Sequence, residues 1–439
     1  MSASLTQHVH AELDRLTGNA PVVGIGYSGG GDSHALLLIA QDWARQAGRT
    51  LIAFIVDHAL RAESAEEAEQ AQRAAEHIGV AAHILRWEGA KPATGLQAAA
   101  REARHSLLAQ QAAARDIDYL LLAHTRDDQS ETVWMRLAAG SGWRGCVGMR
   151  ETAPSPVWPK GRGLTLVRPL LQASRAELRS YLDHQDTSWI EDPSNLDRRY
   201  TRVRTRQALT GLSEAGFDPR RLADWASQLA KVDRAEALSA ARLAMRAVKF
   251  TGWGGARLQV DAYKTATGRQ RQRCLEAVVA AVSGRAQTST RGIDHLDAAL
   301  LDGERATAQG VMIEHWRGSG WVLRDPGDML GRVDRKVEGV RQDGDVLDGR
   351  FKVDLPSDVK AEPLGQDYSG LDGTVLQRVP GRARQCLMAF RRDGNILALA
   401  GLVRHERLEC EPLLVQRFMH RTFAGPAPAW FDADLIVER

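Results

Sequence analysis

The first stretch whose residue types and spacing could do chemistry is a glycine-rich run near the N-terminus. It consists of Ser28, Gly29, Gly30, Gly31, Asp32 and Ser33. Glycines between a strand and a helix expose backbone N–H groups at the helix N-terminus, and these attract a polyanion such as a phosphate chain. Ser28 and Ser33 add hydroxyl donors, whereas the carboxylate of Asp32 beside phosphates needs a bridging cation. We therefore predict a Mg²⁺-nucleotide loop.

Two better-known nucleotide loops and a plain turn are the alternatives. A Walker A loop requires a Gly-Lys pair, and the chain contains none. A dinucleotide fingerprint is present literally as Gly24, Gly26 and Gly29, but its first two glycines fall inside the predicted strand. Its acidic residue should follow about 20 positions later, whereas Asp57 lies much farther along. A plain turn is the third interpretation, although three adjacent glycines are entropically costly in a simple connector.

A group of acids forms the second stretch, AHTRDDQSETVWMRLAAGSG at 123–142, which follows a predicted strand and opens a helix. Asp127, Asp128 and Glu131 fall within about one turn, on nearly one helix face. Acids there can simply complement the helix dipole. Beside the phosphate loop, however, we expect them to hold Mg²⁺ or the ammonium group of a substrate.

Arginines dominate the third stretch, EDPSNLDRRYTRVRTRQAL at 191–209. A turn that includes Asn195 precedes the predicted helix, and no acid occurs from Tyr200 to Leu212. Such a stripe suits a phosphate backbone, with Tyr200 placed to stack on a base; salt bridges to neighbouring acids are the alternative. The predicted RNA-binding residues are Asn195, Arg198, Arg199, Tyr200, Arg202, Arg204 and Arg206.

The elements that position these stretches alternate between strand and helix. Strands are predicted at 22–27, 51–57, 83–87 and 119–123, and helices at 34–47, 63–78 and 96–115. This alternation predicts an α/β fold with a doubly wound parallel sheet and helices on both faces. Ligands collect at the carboxyl ends of such strands, where the glycine loop, Asp57 with His58, and His124 onward all fall. His105 is a further candidate to line this site.

The remainder of the chain divides by pattern. Residues 150–167 are rich in Pro and Gly and are predicted to be a loop, and helical patterns follow from about 211. A hairpin is predicted at 310–324 around Gly318 to Gly320, and the rest has short strand-like runs such as LALAGLV and DLIVE. We predict a catalytic domain at 1–210, a mainly helical RNA-binding domain at 211–324 and a small β-containing, RNA-contacting domain at 325–439.

The composition of the chain excludes only a few classes of protein. The chain has 439 residues, a net charge of +3 and four scattered cysteines, at 146, 274, 386 and 410. The cysteine spacing argues against a disulfide scaffold or a zinc ribbon and suits a reducing cytoplasm. No run of 18 apolar residues occurs, so no membrane span is expected.

Together these motifs resemble the N-type ATP pyrophosphatases, which share the glycine loop, and among them the tRNA(Ile)-lysidine synthetases. The narrower similarity rests on an ordered set over residues 20–210: VDHALRAES at 56–64, AAREARHSLL at 99–108, the acid group, RPLL at 168–171, and WIEDPSN with its arginines. Thr125 stands where these enzymes more usually carry a histidine. The similarity fades after residue 210.

The resemblance implies a two-step reaction with ATP and Mg²⁺. The O2 atom of the wobble cytidine in the isoleucine tRNA with anticodon CAU attacks the α-phosphate of ATP, and pyrophosphate leaves. The ε-amine of free L-lysine then displaces AMP from C2 and gives lysidine. Asp32, Asp127, Asp128, Glu131, Arg101 and Arg104 are the implied catalytic residues. The loop, Asp57 and His58 would hold ATP, with Asp32 on the metal.

Other members of the superfamily give the alternatives. The glycine loop also occurs in tRNA thiolases, which rely on reactive or cluster-binding cysteines, but the predicted catalytic domain contains only Cys146. A catalytically inactive tRNA-binding scaffold is a third hypothesis, against which the intact acids argue. We expect a cytoplasmic enzyme without membrane contact and leave a homodimer open.

Overall fold

The computed structural model describes residues 2–61, 63–190, 201–285, 289–332, 335–336 and 340–438. The chain forms two compact units. The first comprises residues 1–157 and 163–234, and the second comprises residues 158–162 and 235–439.

The first unit contains the predicted alternation of strands and helices. Its strands are β1 Val22–Gly26, β2 Thr50–Asp57, β3 Ala81–Arg86, β4 Tyr119–Leu122, β5 Thr152–Pro154 and β6 Thr165–Val167. Its helices are α1 Ser2–Thr17, α2 Gly31–Gln46, α3 Ser64–His77, α4 Leu96–Ala113, α5 Arg126–Ala138, α6 Arg175–His184, α7 Thr201–Glu214 and the first part of α8 Arg220–Ala247. The four predicted strands are confirmed to within about two residues at each end.

One six-stranded sheet organises this unit, with strand order β3-β2-β1-β4-β6-β5. The strands pair in parallel except β5, which runs antiparallel to β6. On one side the chain proceeds outward from β1 to β2 and β3, and on the other side β6 lies between β4 and the edge strand β5. The crevice at the carboxyl ends of β1 and β4 is where open α/β sheets bind ligands, and the glycine loop and the acid group both begin there.

Helices cover both faces of the sheet, as the buried strands require. On one face, Leu36 of α2, Ala71 of α3 and Leu182 of α6 share one buried core with Ile25 of β1. On the other face, α4 contributes to a core around Phe54 and Leu120 of the strands. The predicted doubly wound α/β fold is therefore confirmed.

The interpretation of residues 150–167 as a loop is wrong in part. Its two ends form β5 and β6, and β6 extends the parallel sheet beside β4. Each of these strands has only three residues, so neither offers the alternating pattern from which a strand is recognised in a sequence.

The first unit also extends beyond the domain boundary predicted at residue 210. Leu209 of α7 and Leu222 and Ala226 of α8 pack on Val133 of α5 in a small buried cluster. This packing joins the arginine-rich helix to the unit that carries the glycine loop. The three-domain division stays a prediction.

The second unit is built from antiparallel sheets and helices. Its strands are β7 Val248–Phe250, β8 Ala256–Leu258, β9 Ala306–Ala308, β10 Val311–Trp316, β11 Ser319–Arg324, β12 Gly331–Arg332, β13 Arg335–Lys336, β14 Gln342–Asp343, β15 Val346–Leu347, β16 Phe351–Asp354, β17 Lys360–Pro363, β18 Met388–Arg392, β19 Asn395–Leu399 and β20 Glu409–Pro412. Its helices, besides the end of α8, are α9 Val260–Lys264, α10 Gly268–Ser283, α11 Ile293–Asp302, α12 Pro326–Met329, α13 Gly373–Leu376 and α14 Leu414–Thr422.

Its largest core lies between α10 and the sheet β7-β8-β11-β10-β9. Leu275, Val278 and Val282 of α10 are fully buried there, as their helical spacing predicts. Phe418 of α14 completes the same core. Residues distant in sequence therefore stabilise the helices that follow residue 235.

Two local predictions in this region have different outcomes. The hairpin at 310–324 is confirmed as β10 and β11, with a two-residue turn at Arg317 and Gly318. The DLIVE segment is not a strand, because Ala433–Ile436 forms a short 3-10 helix. In the part of the chain that the structure describes, none of the helices has both the length and the apolar composition needed to cross a membrane.

Candidate active site

The glycine loop connects β1 to α2 in the geometry that its sequence predicts. Gly29 has a φ of +78°, a left-handed conformation that glycine adopts without strain. A Cβ atom on Gly29 would also come within 2.6 Å of the Ile190 side chain. Gly30 is the N-cap of α2 and provides no side-chain cap. Among the described residues, no side chain caps the first N–H groups of α2, which are therefore available to an anion.

The two serines of the loop bond to each other across the turn. Ser33 Oγ donates to the Gly30 carbonyl at 2.8 Å and lies 3.1 Å from Ser28 Oγ. The backbone N–H of Ser28 also donates to Ser33 Oγ. Ser33 thus fixes the shape of the loop, while Gly24 and Gly26 lie inside β1, outside the turn where a dinucleotide fingerprint would need them.

Asp32, on the first turn of α2, has one carboxylate oxygen without a partner. Its Oδ1 atom is buried and has no hydrogen-bond partner among the described residues. Its Oδ2 atom accepts a long bond of 3.4 Å from Arg175 Nε. Burial raises the pKa of this carboxyl, although the Arg175 guanidinium acts to lower it. A buried carboxylate oxygen beside a phosphate-binding loop fits a cation ligand.

The described residues do not provide a complete protein ligand set for a metal. Within the ranges that the structure describes, no cluster of three or more His, Cys, Asp or Glu side chains is arranged to hold a metal ion. Mg²⁺ usually binds through one or two carboxylates together with substrate phosphates and water. Asp32 fits that pattern, in which the nucleotide supplies the remaining ligands.

The acidic residues at the start of α5 make different hydrogen bonds and therefore have different roles. Thr125, fully buried, is the N-cap of α5, and its backbone N–H donates to Asp128 Oδ2 at 2.9 Å in a capping box. Asp128 therefore holds the helix start as well as facing the site. Asp127 accepts the backbone N–H of Arg175 at 2.8 Å. Glu131 is 1% exposed, and its Oε2 atom has no partner in the described part of the chain.

Arg175, which the sequence analysis did not select, joins these carboxylates. Its Nη2 atom donates to Asp128 at 2.5 Å and its Nη1 atom donates to Glu131 at 2.8 Å. Burial acts to lower the pKa of Arg175, but the charges of Asp128 and Glu131 outweigh it and raise the pKa. The same guanidinium helps to lower the pKa of Asp128 against the effect of burial.

A cationic pocket of about 240 Å³ lies near the carboxyl end of β1. Its lining residues are His58, Gln97, Ala100, Arg101, Arg104, His105, Leu122 and His124. The Arg104 guanidinium lies beside the end of β1, 3.7 Å from where a Cβ atom on Gly26 would stand. Burial, and then the charges of Arg101 and Arg202, lower the pKa of Arg104. Such a concentration of guanidinium groups favours an anionic ligand.

The histidines of this pocket are held neutral. Burial, with the nearby positive charges of Arg101 and Arg104, lowers the pKa of His105 to about 3. Burial likewise lowers the pKa of His124 to about 3, and Arg168 adds to the effect. The Nδ1 atoms of His58, His105 and His124 are buried without partners among the described residues. Neutral imidazoles can donate or accept one hydrogen bond each to a ligand.

Asp57 is engaged in its own loop. Its Oδ1 atom accepts the backbone N–H of Ala59 at 2.7 Å and the hydroxyl of Ser64 at 2.8 Å. These bonds order the turn from β2 into α3, and they place His58 at the cationic pocket. The predicted contact of Asp57 with a nucleotide stays a prediction.

The predicted RNA-binding stripe is only partly described. Asn195, Arg198, Arg199 and Tyr200 lie outside the described residues. On α7, Arg202 and Arg204 are exposed, and Arg204 donates to Thr201. Arg206 instead donates to Glu131 Oε1 at 2.7 Å. The salt-bridge alternative therefore applies to Arg206.

Two further arginines were missed by the sequence analysis. Arg168, in the RPLL motif, is buried, and its Nε atom has no partner among the residues described. Arg179 lies over the Trp189 ring at 4.5 Å, beside Gly31 of the loop. A T-x-x-D spacing signals the Thr125 cap in the sequence, but nothing local signals Arg168, Arg175 or Arg179, which reach the site from distant segments.

Comparisons with known proteins agree with this geometry. A family model described as a PP-loop domain matches residues 5–212. The tRNA(Ile)-lysidine synthase of Hyphomonas neptunium is 47% identical over 187 residues, which cover 43% of this chain and 50% of the relative. That of Caulobacter vibrioides is 47% identical over 203 residues, covering 46% and 48% respectively.

The chain thus spans about half the length of these two relatives. A longer match is found with the tRNA(Ile)-lysidine synthase of a Bradyrhizobium species, at 36% identity over 325 residues. This match covers 69% of the chain and 89% of the relative. The chain therefore belongs to the tRNA(Ile)-lysidine synthase family of PP-loop proteins.

Proposed function

We propose that this protein uses ATP to join L-lysine to C2 of the wobble cytidine in the isoleucine tRNA with anticodon CAU. The observation that carries the proposal is the meeting of two oppositely charged regions at one sheet edge. A phosphate loop, in which one carboxylate oxygen of Asp32 has no partner among the described residues, adjoins the acids of α5, and the cationic pocket lies at the end of the same strand β1. Family membership points to the same reaction.

In the first step, the cytidine O2 atom attacks the α-phosphorus of ATP and pyrophosphate leaves. The N–H groups at the start of α2, with Ser28, Gly29, Gly30, Gly31 and Ser33, would bind the leaving phosphates. Asp32 would hold Mg²⁺, which when bound supplies charge neutralisation on those phosphates. Donors fixed before the reaction stabilise the developing charge without reorganising.

The cationic pocket suits the adenylylated base. Arg101 and Arg104 carry positive charge in a partly buried pocket and would bind the AMP phosphate. The lysine carboxylate is the other anion that they can bind. The neutral histidines His58, His105 and His124 offer hydrogen bonds to a base that has been turned out of the anticodon loop.

In the second step, the lysine ε-amine attacks C2, and AMP departs as the C–O bond breaks. The attacking amine must be neutral, so a carboxylate has to accept its proton. The Oε2 atom of Glu131 is buried and without a partner among the described residues, which makes Glu131 the best placed of the acids to contact an amine. Asp127 and Asp128 would hold the second ammonium group of lysine.

The alternatives have less support. The one cysteine of the first unit, Cys146, is 1% exposed, and its Sγ atom contacts the Ser141 carbonyl. Its thiol has no access to a tRNA base, which disfavours a thiolase that would use it. A non-catalytic scaffold gives no reason for carboxylate oxygens of Asp32 and Glu131 that lack a partner among the described residues.

The proposal also concerns location and assembly. The chemistry of ATP, lysine and tRNA, together with four free thiols, favours the cytoplasm. The homodimer that the sequence leaves open stays a prediction, which sedimentation of the full chain would test.

The experiment that tests this function measures ATP conversion to AMP and pyrophosphate with each amino acid in turn. Each reaction is run with and without the isoleucine tRNA. We expect AMP release that requires both the tRNA and lysine. AMP release with another amino acid, or with sulfide in place of an amino acid, would contradict the proposal.

A further inference from the structure

Arg175 makes three contacts that no other described residue of the first unit makes together. Its Nε, Nη1 and Nη2 atoms face Asp32, Glu131 and Asp128 at 3.4, 2.8 and 2.5 Å. Asp32 belongs to the phosphate loop, while Asp128 and Glu131 belong to α5. One guanidinium group therefore connects the carboxylate assigned to the metal with the carboxylates assigned to the amine.

The backbone holds this guanidinium in place. Arg175 is the first residue of α6, whose N-cap Ser174 forms a capping box with Glu177. The Arg175 N–H donates to Asp127, and the Arg126 N–H donates to the Ala173 carbonyl at 2.9 Å. The starts of α5 and α6 are thus bonded to each other, and these bonds fix the backbone from which the Arg175 side chain extends.

The three hydrogen bonds of Arg175 differ in length. The bond to Asp32 is the longest and the bond to Asp128 the shortest. Charge-assisted bonds near 2.8 Å are the strong ones, so Asp32 is the carboxylate that Arg175 holds least firmly. Asp32 Oδ1 and Glu131 Oε2 are both buried and have no partner among the described residues.

We propose that Arg175 is a positioning residue that occupies part of the space that the substrate cations need and links the metal carboxylate to the amine carboxylates. This inference rests on the proposed function. A divalent cation on the open Oδ1 atom of Asp32 would withdraw negative charge from the same carboxylate and so weaken its long bond from Arg175 Nε. Release of Asp32 leaves Arg175 bound to Asp128 and Glu131 alone, and the incoming amine then uses the open Oε2 atom of Glu131.

The first test measures Mn²⁺ binding to the full-length protein by electron paramagnetic resonance, in the presence of a non-hydrolysable ATP analogue that supplies the remaining metal ligands. The Arg175→Gln substitution removes the competing charge, so Mn²⁺ should bind about tenfold more tightly. Arg175→Lys keeps the charge on a single ammonium that cannot span three carboxylates, so its Mn²⁺ affinity should lie between the two. Arg126→Gln is the matched control, because Arg126 pairs with Glu177 and should leave Mn²⁺ affinity unchanged.

The second test separates the kinetic constants of lysine use. In Arg175→Gln, kcat should fall at least about tenfold because Asp128 and Glu131 lose their common partner, and Arg175→Lys should restore part of it. The control Arg126→Gln should keep both kcat and the KM for lysine.

Unchanged Mn²⁺ affinity in Arg175→Gln would overturn the proposal. If that variant fails to fold, equal Mn²⁺ affinity in Arg175→Lys and wild type would overturn it instead. The Mn²⁺ measurement uses neither tRNA nor lysine, so it decides the role of Arg175 even if the wild-type protein makes no lysidine.

Discussion

Arg206 donates to the buried carboxylate of Glu131 at 2.7 Å, and this bond ties the helix proposed to bind RNA to the acid proposed to bind the amine. The pair joins α7 to α5 within the first unit. An RNA phosphate that drew Arg206 away would leave Glu131 with Arg175 as its remaining partner. Binding of tRNA and binding of lysine are therefore expected to influence each other through this pair.

The Glu131→Gln substitution should impair lysine use more than ATP use. A carboxylate that pairs with an ammonium contributes about 1.5–3 kcal/mol, which predicts a rise of about tenfold or more in the KM for lysine. Asp127→Asn should have a smaller effect of the same kind, since that carboxylate also accepts the Arg175 N–H. Steady-state kinetics with lysine and ATP varied separately check this. Unaltered lysine KM values in both variants would remove these residues from the amine site.

Asp32→Ala should abolish adenylylation and leave tRNA binding nearly unchanged, because Asp32 is assigned to the metal and not to the nucleic acid. The measurement is AMP formation in parallel with tRNA affinity. Asp42→Ala on the same helix provides the control, since Asp42 lies far from the loop and bonds to Gln46. Full AMP formation by Asp32→Ala would refute the assignment.

The arginines of α7 should differ in their response to salt. Arg202→Gln and Arg204→Gln each remove an exposed positive charge, so the slope of log tRNA affinity against log salt should shrink by about 1 for each phosphate that is no longer neutralised. Arg206→Gln should instead raise the KM for lysine, because its partner is Glu131. Filter binding at several KCl concentrations distinguishes these responses. If all three variants keep the salt slope of the wild-type protein, the arginine stripe is structural.

His105 should make the first unit sensitive to acid. Its folded pKa of about 3 lies below the ordinary value of about 6.5. The unfolded chain therefore takes up a proton that the folded chain does not, and stability is lost as the pH falls from about 6.5 towards 3. Between pH 7 and pH 5 this loss is about 2 kcal/mol.

His105→Gln removes this titration, so the difference in unfolding free energy between pH 7 and pH 5 should shrink by that amount. Urea unfolding at the two pH values measures this difference, and His8→Gln is the control because His8 is an exposed residue of α1. An unchanged pH difference would mean that His105 titrates normally, in spite of Arg101, Arg104 and Arg168 around it.

The sequence predicts those parts of the site that are formed by residues close to one another along the chain. The glycine run, the alternating elements and the acids of α5 are local patterns, and they are found at the predicted sheet edge. Arg175 was not predictable in this way, because it contacts Asp32 across 143 positions of sequence. The pairing of Arg206 with Glu131 spans 75 positions, so charge composition alone assigned Arg206 to RNA.

The second unit shows the same limit on a larger scale. Its three- and four-residue strands are too short to give a readable pattern, and its main core brings Phe418 onto α10 from far along the chain. The α10 face itself was predictable because Leu275, Val278 and Val282 repeat at helical spacing.

The most direct test of the central claim is mass spectrometry of the wobble nucleoside after reaction. The full-length protein is incubated with ATP, Mg²⁺, lysine and the isoleucine tRNA, and in parallel with the methionine tRNA that has the same anticodon. We predict that the wobble cytidine of the isoleucine tRNA gains the mass of lysine minus water, and that this gain is lost in Asp32→Ala. An unmodified cytidine in the wild-type reaction, or a gain of sulfur in its place, would contradict the account.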